Sequence, residues 1–227
     1  MVAGVAEGVA LALRGGGGSY ALSRVLPPEG AVASAAIRVL GADVLAPYAP
    51  EQPYAAGRPA VAAPGGPDEA LVRAALAAHP PAADATEVSL WSYRGLLEAA
   101  RGRLPGDGQN WPPEPAAGLA WVDDDPWPKL AHRASQLAAL SVPGLAAPLA
   151  GALARRTDDL SRGFVRAVRR RDWLQAAGLG RWLAGLPGVP ETLGLDSGLV
   201  FVDRMSGGDP RVALQVAAAR CFYGRGS

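Results

Sequence analysis

Residues 153–172, LARRTDDLSRGFVRAVRRRD, constrain the fold more than any other stretch of this chain. At about 100° per residue, Leu153, Leu160, Phe164, Ala167 and Val168 fall in one sector of a helix. Arg155, Arg162, Arg166 and Arg169 fall on the opposite side, with Arg170 at the margin. The pattern predicts an amphipathic helix with a strongly basic outer face. Asp158 precedes Arg162 by four residues, the favourable order for an intrahelical ion pair. Arg171 and Asp172 then supply a turn, Asp172 caps the following WLQAAGLGRWLAGL, and Gly185, Leu186 and Pro187 close it. The two segments together read as an αα-hairpin, a unit from which helical interaction scaffolds are built.

Around this hairpin the chain reads as mainly α, with 49% hydrophobic residues to fill a core. Much of that share is alanine, which buries little area per residue, so a few large side chains must anchor the packing. Helices are expected over residues 30–40, after Asp68 with Asp68 as cap, over residues 90–104 ending at Pro105 and Gly106, and through most of residues 128–186. Asp209 and Pro210 open a last helix as N-cap and first helical residue. Ser206, Gly207 and Gly208 before them read as a turn. Residues 198–203, GLVFVD, read as a short strand that needs a partner, and residues 9–26 are the expected one. The N-terminal stretch around Gly15, Gly16, Gly17 and Gly18 suits either a strand pair or two helices, with Ser19 capping the second. The fold expectation is therefore mainly α with a small β element, with α+β as the alternative.

Six prolines between residues 47 and 67 and no sustained apolar period mark a linker or wrapping segment. The organisation expected is residues 1–46 as the N-terminal part of the fold, residues 47–67 as that linker, and residues 68–227 as a helical core with the C-terminal strand and helix. No internal repeat of 20 to 50 residues stands out.

Charge and cysteine usage narrow the functions. With 22 basic and 21 acidic residues the net charge is +1, which gives no global field toward nucleic acid or an anionic membrane. One cysteine, Cys221, excludes an internal disulfide and a multi-cysteine metal site, and fits a reducing, cytoplasmic setting. The N-terminus lacks a positively charged start, carries Glu7 and shows no cleavage pattern, so it is expected to belong to the fold. Its apolar run is shorter than the roughly 20 residues a membrane span needs, and no membrane association is expected.

Three groups of residues carry candidate chemistry. Asp123, Asp124 and Asp125, with His132 nearby, are the catalytic candidates, since clustered carboxylates hold Mg²⁺ together with a phosphorylated substrate. Pro126 directly after them argues instead for an acidic approach to the next helix, where carboxylates favour the positive end. Ser135, three residues beyond His132, is within reach of it on a helix, with no nucleophile-elbow pattern alongside. The glycine run lacks a following Lys-Ser/Thr, so no P-loop is present. Arg155, Arg162, Arg166 and Arg169 form the candidate binding face. Trp111, Trp121 and Trp127 belong to a Trp/Pro-rich stretch that serves either as a ligand platform or as pins for an irregular segment.

These features favour a non-catalytic accessory or scaffold protein that binds a protein partner through the basic helix and the Trp/Pro-rich segment. No cofactor is predicted. The balance falls against an enzyme; the alternative is a small enzyme of specialised metabolism, Mg-dependent or metal-independent, acting on a phosphorylated or hydrophobic substrate. Nucleic-acid binding through the arginine stripe comes third, disfavoured by the even charge and the absence of aromatics between the arginines.

Overall fold

The computed structural model describes residues 1–15, 20–27, 30–49, 66–104 and 111–223. Ser19, the glycine run beyond Gly15, Pro105 and Gly106, and residues 50–65 of the proline-rich stretch lie outside them. The chain divides into two compact units, Met1–Ala117 and Gly118–Ser227.

The first unit contains α1 (Val2–Leu13), α2 (Leu22–Val25), α3 (Ala31–Leu40), α4 (Pro67–Ala78) and α5 (Glu87–Arg103). A 3-10 segment, Gly41–Tyr48, continues from α3 and packs against α5, α1 and α3. Residues 41–47 of this segment are all buried. A 3-10 run of this length is uncommon, because its hydrogen bonds are poorer than those of an α-helix. Here the surrounding helices hold it. The stretch Ala31–Tyr48 is long and apolar enough to cross a membrane by length and composition, and 61% of it is buried inside the protein. That burial gives its apolar surface a protein environment.

Asp68 was expected to cap the helix that follows it. The helix instead begins at Pro67, and the carboxylate of Asp68 serves a different helix. Its oxygens accept from the backbone N–H groups of Leu22 at 3.0 Å and Ser23 at 2.8 Å, at the start of α2. The Tyr48 hydroxyl donates to the same carboxylate, and Tyr20 donates to the carbonyl of Val44 at 3.1 Å. One acidic side chain thus ties α4, α2 and the 3-10 segment together. In α5, the Thr86 hydroxyl accepts from Ser89 N–H and caps the helix.

The second unit contains α6 (Ala120–Asp124), α7 (Trp127–Gln136), α8 (Ala147–Ala154), α9 (Thr157–Arg169), α10 (Trp173–Gly185), α11 (Leu195–Met205) and α12 (Pro210–Tyr223), with short 3-10 turns at Ala138–Ser141 and Glu191–Leu193. Helix α10 is its centre, packed by α7, α9, α11 and α12. Residues 176–183 are buried without a break, as in a helix covered on every side. The αα-hairpin is present as α9 and α10. Arg171, in the left-handed region at φ 60°, makes the turn, and Asp172 accepts from Gln175 N–H at 3.2 Å. Asp209 opens α12, accepting from Arg211 N–H at 2.8 Å.

The β element is not there. Among the described residues there is no strand, so the mainly-α expectation loses its small sheet and the α+β alternative falls with it. Residues 198–203 lie inside α11, and residues 2–13 form α1 rather than half of a hairpin. The β-branched run at Val200 and Val202 had suggested a strand, but the longer window carries a helical period. Leu199 and Val202 are buried while Phe201 and Met205 are exposed. Gly194, left-handed at φ 58°, starts the helix, and Gly180 on α10 leaves room for Leu199 to pack directly on that helix. Side-chain packing against α10 replaces the ladder that a lone strand would have lacked.

A close approach also fixes α10 against α7. A Cβ on Gly178 would stand 2.7 Å from the Ser135 carbonyl oxygen and 3.2 Å from the Ala138 methyl. The Gly178→Ala substitution gains about 1 kcal/mol of helix propensity. Overpacking against a fixed backbone carbonyl costs about 1–3 kcal/mol, and the net result expected in urea unfolding is destabilisation. Gly151, exposed in α8 with nothing within 4 Å of its Cβ position, is the control. There the alanine variant should be stabilised by up to about 1 kcal/mol. Equal effects at the two positions would contradict the packing described.

Candidate functional site

The amphipathic pattern of α9 positions the site. Leu160, Phe164 and Ala167 are buried in the second unit, which turns Arg162, Val165, Arg166 and Arg169 outward. These four residues, with Arg170, form one wall of a groove of about 890 Å³. Trp127, the first residue of α7, Asp158 and Ser161 of α9, and Pro190 with Thr192 and Leu193 around the Glu191–Leu193 turn also line it. The Arg166 guanidinium lies 5.5 Å from the centre of the Trp127 ring, within cation–π range.

The charges of this groove are unevenly compensated. Asp159 accepts from Arg156 Nε at 2.7 Å and, more loosely, from Arg162 Nη1 at 3.4 Å. The ion pair expected between Asp158 and Arg162 is thus replaced by one from Asp159, because Asp159 already lies between the two arginines. Asp158 itself lines the groove. Arg166, Arg169 and Arg170 have no ion pair among the described residues. Arg162 and Arg166, and Arg166 and Arg170, are four residues apart, and Arg166 and Arg169 three. Like charges at such spacings destabilise a helix by about 0.2–0.5 kcal/mol per pair. The face therefore carries a small strain that an acidic surface would relieve.

Arg155 does not belong to this face. The helix read across residues 153–172 is broken between α8 and α9, and Arg155 ends α8. Its Nη2 donates to both carboxylate oxygens of Asp123, each at 3.0 Å. The break comes at Arg156, whose guanidinium donates to the carbonyls of Val122 at 2.6 Å, Asp123 at 3.1 Å and Asp125 at 3.2 Å. Arg156 thereby caps the C-terminal end of α6, supplying positive charge to carbonyls without helical partners. Nothing local in the sequence signals that role.

The aspartate cluster is engaged within the protein. Asp125 is buried and meets Lys129 Nζ at 2.9 Å through one oxygen and Arg133 Nη1 at 2.8 Å through the other. Asp123 is held by Arg155, while Asp124 is exposed. His132 is exposed on α7, and the Ser135 hydroxyl donates to its backbone carbonyl at 2.7 Å rather than to its imidazole. Among the described residues no group of three or more His, Cys, Asp or Glu side chains is arranged to hold a metal ion.

The tryptophans do not share one surface within either unit. In the first unit Trp91 is buried, and Arg73 covers Trp111 at 4.6 Å. In the second, Trp121 is buried beside Arg133 at 5.7 Å, and Trp127 alone reaches the basic groove. The arginines and Trp127 are legible in the sequence as binding candidates, but Val165, Pro190 and Leu193 are not. The last two enter the groove only because the chain returns past α9 after α10.

Comparison with family models, with curated proteins and with solved structures gives no match in any of the three.

Proposed function

We propose that this chain is a non-catalytic accessory protein that binds a protein partner through the basic groove on α9. The observation that carries the reading is one surface feature. Arg162, Arg166, Arg169 and Arg170 line a single groove together with Trp127, Val165, Pro190 and Leu193, and three of the four have no ion pair among the described residues. Arginine and tryptophan are the residue types that most often dominate binding energy at protein interfaces. An unmatched basic face also steers an acidic partner during encounter. A cytoplasmic setting belongs to this reading, supported by the chain's single cysteine.

The Mg-dependent alternative draws less support, because Asp123 and Asp125 are engaged by Arg155, Lys129 and Arg133. Nucleic-acid binding draws support from the same arginines. It lacks the series of exposed aromatic platforms that stack bases, since Trp127 alone stands in the groove and already faces Arg166.

The test is charge reversal at Arg162, Arg166 and Arg169 together. These side chains are exposed, so the circular dichroism spectrum and melting temperature should stay close to wild type. The affinity for the native partner should fall at least about tenfold, a loss of about 1.4 kcal/mol or more. A partner complex of unchanged affinity would remove this face from the account.

A further inference from the structure

The geometry points to an acidic peptide segment with a hydrophobic anchor residue as the occupant of the α9 groove, an inference that rests on the partner-binding reading above. The spread of charge is the first reason. Arg162 and Arg169 are seven residues apart, about 10 Å along a helix axis at 1.5 Å per residue. A single phosphate or carboxylate reaches only one end of that row. A peptide with acids on successive turns or alternate residues matches it along its length.

The second reason is the apolar part of the groove. Val165 is 37% exposed among the arginines, and Leu193 and Pro190 line the same groove. A polyphosphate or a sugar-phosphate backbone offers these residues nothing to bury. An apolar side chain of a peptide, set between its acids, removes Val165 and Leu193 from water while its carboxylates reach Arg166, Arg169 and Arg170.

The third reason is polarity along the groove. Asp158 stands toward the start of α9, whereas the arginines without ion pairs cluster at its end. An acidic segment is repelled at one end and attracted at the other. Its acids therefore concentrate over Arg166, Arg169 and Arg170, and a neutral or basic residue faces Asp158. That asymmetry sets a direction for the bound chain, which a uniform polyanion would not follow.

Fluorescence anisotropy with labelled peptides tests this on the full-length protein. The probe is a peptide of about a dozen residues, rich in Glu and Asp with one central leucine; the control has that leucine changed to serine. The leucine peptide should bind at least tenfold more tightly than the serine peptide. Val165→Ser with Leu193→Ser should remove that difference, and Arg169→Gln with Arg170→Gln should weaken both peptides. Equal binding of the two peptides, no binding of the leucine peptide, or its displacement by inorganic polyphosphate or a single-stranded oligonucleotide at equal charge would overturn the inference. The native partner, assayed on the triple arginine variant, separates the two levels. If that variant keeps the partner, the partner-binding reading fails. If it loses the partner while the two peptides bind alike, only the chemistry assigned to the partner fails.

Discussion

Replacing Trp182 by alanine should lower the unfolding free energy by about 3–5 kcal/mol, the usual range for deleting a fully buried aromatic. Trp182 sits in the last turn of α10, within its buried stretch, and its indole N–H donates to the Ala134 carbonyl of α7 at 2.9 Å. The ring thus fills space and fixes the crossing of two helices. Ala176, Ala177, Gly178 and Gly180 on the same helix have no side-chain rotamers with which to refill the cavity. Trp182→Phe keeps most of the volume and loses the hydrogen bond, so it should cost less than half as much. Both values are read from urea unfolding followed by circular dichroism, since the substitution itself changes the fluorescence. A loss below about 1 kcal/mol for Trp182→Ala would contradict the central place given to α10.

Asp68 carries the second large effect, in the first unit. Burial pushes its carboxyl pKa up, but hydrogen bonds from the Ser23 side chain, the Tyr48 hydroxyl and the N–H groups of Ser23 and Leu22 outweigh it. The folded-state value therefore lies below the ordinary carboxylate range. A carboxyl whose pKa is lower folded than unfolded contributes its full stabilisation above the unfolded value. That contribution is lost as the pH falls through the unfolded value, about 3.9, toward the folded one. The melting temperature should accordingly drop below about pH 4 in the wild type. Asp68→Asn should be destabilised near neutral pH by about 1–3 kcal/mol, because its amide keeps an acceptor for only one of the two N–H groups and turns a donor toward the other. Its melting temperature should also respond less to acid. Parallel pH profiles for the two proteins would show that Asp68 does not tie α4 to α2 as described. The two phenols stay protonated well beyond their usual range, Tyr20 through burial and then the charge of Asp68, Tyr48 through burial and then its bond to Asp68.

The parts of the fold that were legible in the sequence are those set by neighbours along the chain. The α9 stripe, the Asp172 cap and the Asp209-Pro210 start of α12 each need only a few adjacent residues, and each is present. Segment 198–203 was misread because a window of β-branched residues hides the spacing of Leu195, Leu199 and Val202, which becomes decisive only once α10 offers Gly180 as a seat. Asp68 was assigned to its own helix because nothing local shows that Leu22 and Ser23 come to lie beside it. The groove was half legible. A helical wheel yields Arg162, Arg166 and Arg169, but it also assigned Arg155 to their face, since the interruption at Arg156 depends on carbonyls some thirty residues earlier. Pro190 and Leu193 arrive by the path of the chain, and periodicity has no access to that.

Native mass spectrometry of the protein purified gently from its own host, as wild type and as the Arg162, Arg166 and Arg169 reversal variant, tests the central claim most directly. The account predicts a stoichiometric second polypeptide on the wild type and a bare chain for the variant. A wild-type chain that carries only small-molecule or metal mass, or a partner that stays on the variant, would contradict it.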